Sequence, residues 1–523
     1  MSKQIIENPY QDVDWKNCSY LHSMSHQHSG SWTPFTDYQS LVEFFRMGFR
    51  HMAVSNYYPS KPVYPLPKEF AESYPEAIGC PNAEHHSFTD AGMHICAIGS
   101  YYTSGYGQPV ESSKLVDSPI QASFDGLHRF DPEKPWLGVY RLDIDLRPKD
   151  GADTDQVSAL LTIEGGSECD RRSFDVIGAG RIHGRRITSS GSLYIRTESD
   201  SIAVGLEFDE NTTEVTRIRL MQGTNRPYAQ VFAEALDGTG TDAEGNRIEG
   251  LVFPDGGGIT INHPEGSAEH YFPILDQDER VLGIEVWNYR RRFGYSRSNL
   301  HAYRLWDEIL SSGRRCFGFF VKDHRRYGNG RNVLLIPNDD TANKEHEALK
   351  AYRKGRFFGL LGSIAVDGEG NIVQPYDYSQ FRFTNISVRE DDEGCPLGVD
   401  VSVAGDENSK NKNTQIRFVT NEGIAQITDA DQAFFPFPKD QDGNIVCKFV
   451  RIEAIAYPDR LDDGRQLTPD SVARMNPDEI MLLHNHRTFV TEALCDKRFG
   501  LDEGTPVPAL DMILSQPIMI RQI

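Results

Sequence analysis

No window of this chain approaches the roughly 18 consecutive apolar residues of a membrane-spanning helix, so no membrane partner is expected. Its eight cysteines, Cys18, Cys80, Cys96, Cys169, Cys316, Cys395, Cys447 and Cys495, are scattered without a CxxC pair. The N-terminal MSKQIIENPYQDVDW has no apolar run of the kind a signal peptide carries. These absences lead us to expect a cytoplasmic protein with reduced thiols. Basic residues are also in deficit: 54 Lys and Arg stand against 76 Asp and Glu, a formal net charge of -22. That balance argues against nucleic acid as a main partner, because phosphates would find no cationic excess to neutralise them.

What is present suffices for a large globular fold. A chain of 523 residues with 38% hydrophobic content, including 28 Phe and 22 Tyr, can fill the cores of two to four domains. Short apolar strands alternate with amphipathic helices over much of it. YQSLVEFFRMG from Tyr38 has helical spacing and a glycine stop, and leads into the short strand MAV, which ends at Ser55 and Asn56. MHICAIG, GGGITINHPEG, VLGIEVWNY and RCFGFFVKDH read as further strands, and LHAYRLWDEILSSG and HEALKAYRKG as helices. This alternation predicts βα units around a parallel sheet or barrel. Between about Gly138 and Met221 the period changes to two, predicting an inserted β module. After Gly355 strands such as FRFTNISVRE and IVCKFVRIEAIAY, read as having exposed polar faces, predict a second β domain.

Histidines and acids fall at the expected strand ends. LHSMSHQHSG holds His22, His26 and His28; NAEHHSFTD holds Glu84, His85 and His86; His94, His263, Asp323 and His324 follow. Neutral imidazoles and carboxylates drawn from several strand ends are good ligands for Zn²⁺, Mn²⁺ or Fe²⁺. Adjacent strand residues point to opposite faces, so at most one of His85 and His86 can join Glu84. His484 and His486 form another HxH pair but lack a partner motif and are read as structural.

The ordered set, an HxH near the start, a strand end after the first helix, an acid before MHICAIG, a later HP and a final acid-His pair, resembles the PHP (polymerase and histidinol phosphatase) superfamily. The resemblance covers roughly residues 15 to 138 and 222 to 362. It implies a distorted (βα)7 barrel, which the β insertion read from the strand period would split and a C-terminal β-sandwich-like domain, outside the resemblance, would follow. The expected boundaries are 1–138 and 222–365 for the barrel, 139–221 for the insertion and 366–523 for the C-terminal domain. The sequence departs from the family's TDH motif, having Ser55, Asn56 and Tyr57 there, and its last motif is an adjacent Asp323-His324. By the preceding strand the first pair would start at His22; by residue type it is His26 and His28, the choice favoured here.

The resemblance implies two or three divalent ions and hydrolysis of a phosphoester. His26, His28 and Asp323 would hold one ion, Glu84 would bridge, and His94 and His263 would hold a second. His22 is a further candidate ligand or substrate contact, and His324 a third-site ligand or the acid that protonates the leaving oxygen. Asp323 and His324 are thus the expected catalytic pair, with Asn56, Tyr57, Lys322 and Arg325 facing a small phosphoester or carbohydrate-related substrate. The alternative is a non-catalytic sugar- or ligand-binding protein that keeps part of the metal nest.

Overall fold

The computed structural model describes residues 4–29, 36–56, 62–85, 93–102, 128–130, 139–169, 182–188, 191–196, 202–222, 227–240, 247–288, 295–323, 330–362, 380–405, 411–461, 464–475 and 510–522. Among them are 27 strands and seven α-helices. The first helix, Asp37–Arg46, begins as its sequence dictates: Thr36 accepts from the Gln39 N–H and the Gln39 side chain returns to the Thr36 N–H, closing a capping box. It ends at Met47 and at Gly48, whose φ of 82° favours glycine.

Two sheets carry the residues of interest. In the first, of eleven strands, Cys18–Met24 pairs in parallel with His51–Met52, which pairs in parallel with Ile78–Gly79. In the second, Phe317–Val321, Val281–Asn288 and Gly258–Asn262 are parallel neighbours, followed by antiparallel His94–Ile98 and Glu84–His85. The expected (βα)7 barrel does not form. Such a barrel needs parallel neighbours joined by helices all the way round. Here Gly330–Pro337 returns antiparallel against Cys18–Met24, Phe357–Leu361 forms an antiparallel pair with it, and the strands remain in separate mixed sheets.

The expected C-terminal β-sandwich-like domain is also corrected. Asp511–Ser515 pairs with Phe357–Leu361, and Phe449–Tyr457 and Ile518–Gln522 extend the same sheet to Gln4–Glu7. One core therefore mixes Trp287, Trp306 and Phe320 with Phe449, Ile455, Met512 and Leu514. FVRIEAIAY looks half-exposed in sequence because of Arg451 and Glu453, yet all nine positions are buried and Arg451 donates to Glu453 at 2.6 Å. A charged residue that brings its own partner into the core mimics a solvent face. The inserted segment forms two four-stranded sheets over its own apolar core, which includes Leu142, Leu161, Ile195 and Val204. Its strands reach back to His128–Phe130, ahead of the expected boundary at 139.

Burial beside the first sheet sets a pH dependence. His51 is fully buried with Nδ1 2.8 Å from Ser23 Oγ, and burial pushes its pKa down to about 3. A histidine that must stay neutral to fold contributes stability that is present above its unfolded pKa of 6.5 and is lost as pH falls toward 3. Between pH 7.5 and pH 5 this one ring should cost about 2 kcal/mol. Urea unfolding at the two pH values checks it: His51→Gln should flatten the pH dependence by that amount, and an unchanged dependence would contradict the assignment.

Candidate metal centre

Four chain segments lie side by side where the two sheets meet. Asp323 N donates to His26 O (3.1 Å) and His28 N to Asp323 O (3.0 Å), so the segment after Cys18–Met24 is tied to the end of Phe317–Val321. Ser55 N donates to Gln27 O (2.7 Å), and Glu84 N to Ser55 O (3.0 Å). Beyond Glu84, the register pairs His94 with Asn262, placing His94 and His263 next in the row. Asp323 and His263 have φ of 58° and 29°, a left-handed backbone that costs a non-glycine residue about 1–3 kcal/mol and clusters at functional sites.

This backbone row converges side chains in the interior. His26, His28, Glu84 and Asp323 are all buried, and one donor atom from each lies within 4.8 Å of the others. His26 Nε2 is 3.1 Å from His28 Nε2, 3.5 Å from Glu84 Oε2 and 3.6 Å from Asp323 Oδ1; His28 Nε2 is 3.5 Å from Asp323 Oδ1 and 2.7 Å from Glu84 Oε2. Ligands placed 2.0–2.1 Å from a tetrahedral ion are about 3.3 Å apart, so all but the shortest of these separations lie near the edges of such a tetrahedron. The group can hold a metal ion. Glu84, His94 and His263 form a second group: Glu84 Oε1 is 3.0 Å from His94 Nδ1 and 3.5 Å from His263 Nε2.

The electrostatics fit a cation. Burial alone would lower the pKa of His26, but its anionic surroundings, including the Glu285, Glu84 and Asp323 carboxylates, outweigh this and hold it well above the usual range. Burial would likewise raise the pKa of Glu84, but the charges of His26 and His94 hold it well below the usual range. Buried carboxylates in this density require a positive charge among them, and a divalent ion can replace the proton on His26.

Glu285 is the contributor that sequence reading passed over. Its Oε1 accepts from His26 Nδ1 at 2.6 Å, leaving Nε2 turned to the cluster, while Oε2 accepts from the His263 N–H at 2.7 Å and Asn288 Nδ2 at 2.6 Å. A carboxylate behind an imidazole sets its tautomer and raises its basicity. Glu285 and Asn288, three apart, would point to opposite faces of a regular strand, but the register shifts between Glu285 and Trp287. Asn262 adds a hydrogen bond to Glu84 Oε1 at 3.0 Å. The signal available in sequence was the pair of acid and amide in EVWN, and the amide before His263.

The remaining expected site residues are placed elsewhere. His22 stands on the strand Cys18–Met24 with Nδ1 3.2 Å from the Arg331 guanidinium, and burial, aided by Arg331 and Arg50, keeps its pKa well below the usual range. It stands outside both metal-capable groups. Lys322 sends its ammonium toward Met47 Sδ (3.4 Å) and over the Phe49 ring (4.8 Å), into the apolar cluster under the first helix. Asn56 clamps the HxH segment: Ser29 N donates to its Oδ1 and its Nδ2 donates to Ser29 Oγ, each at 3.1 Å. Ser55 Oγ likewise accepts from Gln27 N at 3.1 Å. Ser55 and Asn56 therefore shape the loop. His85 is buried beside Tyr102, with ring centroids 5.6 Å apart. Tyr57, His86, His324, Arg325, His484 and His486 lie outside the described residues.

No helix of the described residues is long and apolar enough to cross a membrane. No protein-family model, curated protein or solved structure matches the chain.

Proposed function

We infer that the chain is a metal-dependent hydrolase acting on phosphoesters, and that Glu84 is shared between two divalent ions. The observation that carries this reading is the Glu84 carboxylate itself, with Oε2 facing His26 and His28 and Oε1 facing His94 and His263. His26, His28 and Asp323 would complete one position and His94 and His263 the other. Borderline imidazole and carboxylate donors suit zinc, manganese or iron. Bound there, such ions would polarise a phosphoester and lower the pKa of water, which is the chemistry two-metal sites supply.

The chain's own residues do the rest. Glu285 fixes the His26 ring by hydrogen bonding Nδ1, so that Nε2 presents its lone pair. Asn262 and His94 orient Glu84 Oε1. His94 and His263 are part-exposed, 27% and 10%, whereas His26 and His28 are sealed, so a substrate would approach from the His94 side. The PHP resemblance supports the same reaction class through its motif order.

The test is turnover of p-nitrophenyl phosphate by protein loaded with Mn²⁺ or Zn²⁺. His28→Ala should abolish turnover and release at least one ion, because it removes a buried donor. His22→Ala should keep its metal, since His22 serves Arg331. Loss of metal in both variants alike would place His22 among the ligands; full activity in His28→Ala would defeat the reading.

A further inference from the structure

A second site opens where the strands Val281–Asn288 and Phe317–Val321 begin, at the end of the sheet away from Glu285 and Asp323. Along these strands Val281 stands four residues, roughly 13 Å, before Glu285, and Phe317 six residues, roughly 20 Å, before Asp323. The cleft has a volume of about 1180 Å³ and is walled by the 5–12 segment, the turns at 275–281 and 312–317, the end of the helix Lys344–Lys354 and the 517–521 segment.

Its charges are unevenly committed. Asp276 is paired with Arg314 (2.9 Å), Asp278 with Arg280 (2.7 Å), Asp255 with Lys350 (3.8 Å) and Glu7 with Arg521 (3.2 Å). Four of the cleft's six acids are thus neutralised. Arg315 and Arg353, by contrast, make their hydrogen bonds among the described residues to backbone carbonyls: Arg315 to Glu279 O, and Arg353 to Gly257 O (2.6 Å) and Gly256 O (3.2 Å). Carbonyls hold these guanidiniums in place without cancelling their charge, and leave N–H donors of each fork over. Burial lowers the pKa of both, and Arg280 adds repulsion at Arg353; the Glu7 carboxylate offsets part of this at Arg315, and Asp278 and Glu279 part of it at Arg353, without an ion-pair contact among the described residues. Lys354 stands at the same cleft. Basic residues closing a helix account for Arg353 and Lys354 by themselves, but Arg315 comes from another element and has no such role. A protein of net charge -22 has gathered cations here that make no direct ion pair with a carboxylate among the described residues.

We propose that this cleft binds a phosphorylated small molecule, its phosphate held by Arg315 and Arg353, with Lys354 and Arg521 at the rim. Guanidinium forks match phosphate oxygens two at a time, and the volume suits an organic phosphate rather than a lone ion. Glu279 and Asp12 remain to accept hydrogen bonds from hydroxyls on the rest of the ligand. This site is separate from the metal centre and does not depend on the hydrolase reading.

Titration calorimetry with inorganic pyrophosphate tests it on the full chain. Wild type and His28→Ala should bind equally, since the latter alters only the metal centre. Arg315→Gln should weaken binding about tenfold or more, as loss of a charge-assisted bond does. The exposed pair Lys354→Gln/Arg521→Gln should weaken it in the same direction without touching the core. Absence of saturable binding to wild type at millimolar pyrophosphate would overturn the proposal. So would binding that survives the cleft variants and disappears in His28→Ala, which would put the anion at the metal centre.

Discussion

Glu84→Gln is expected to strip divalent metal from both donor groups and to cut phosphate-ester turnover by well over about a hundredfold, the upper end of what loss of an orienting partner alone costs. An amide keeps the size of the side chain but surrenders the charge that His26 and His94 now compensate. It also turns one of the two facing oxygens into a donor aimed at imidazole nitrogens. Glu285→Gln gives the graded comparison: it loses the carboxylate behind His26 but removes no donor from either group, so metal affinity should fall about 10–100-fold and not vanish. Circular dichroism and thermal unfolding of both variants establish that the fold persists. Wild-type metal content in Glu84→Gln would show that the carboxylate is not shared between ions.

Arg451→Ala is the substitution expected to cost most stability. Arg451 is fully buried, donates to Glu453 at 2.6 Å and to Asp307 at 2.8 Å, and stacks over the rings of Tyr303 and Trp306. It joins the helix Tyr295–Ser311 to the strand Phe449–Tyr457 of the eleven-stranded sheet. Removing it leaves Glu453 buried without its cation, at a cost of about 3–5 kcal/mol. Arg451→Met/Glu453→Leu should recover at least half of that loss, because both buried charges go together and Asp307 can turn to solvent, its side chain being 28% exposed. Chemical denaturation of the two variants decides it. A double variant no more stable than Arg451→Ala would mean the residue acts through packing and not through charge.

The local elements were legible in the sequence where side-chain period and capping agreed. The helix from Tyr38 with its glycine stop, the strand MHICAIG and the helix HEALKAYRKG are all recognisable in the fold. Global architecture was not, for a physical reason: period and length cannot distinguish a parallel neighbour from an antiparallel one. Gly330–Pro337, buried over seven of its eight residues, reads the same in either direction. The C-terminal strands were assigned to a separate domain because Arg451, Glu453 and Arg417 resemble a wet face, whereas their charges are satisfied inside. Motif order brought His26, His28, Glu84, His94, His263 and Asp323 onto one list, and the structure gathers the other five around Glu84. Lys322 belonged to the same motif as Asp323 but turns into the helix cluster, since adjacent residues on extended chain face opposite ways, whereas His22 lies earlier on its strand and meets Arg331. Glu285 escaped because, although EVWN shows an acid and an amide, bringing both to one side depends on a strand irregularity that residue type does not announce.

The most direct test of the shared-carboxylate centre is the metal content of the wild-type chain purified without chelators, dialysed against buffer containing Mn²⁺ or Zn²⁺ and then against metal-free buffer, and measured by plasma mass spectrometry. About two ions per chain should be retained, as expected for a site that clamps both sides of an ester. A chain that retains no stoichiometric divalent metal would contradict it.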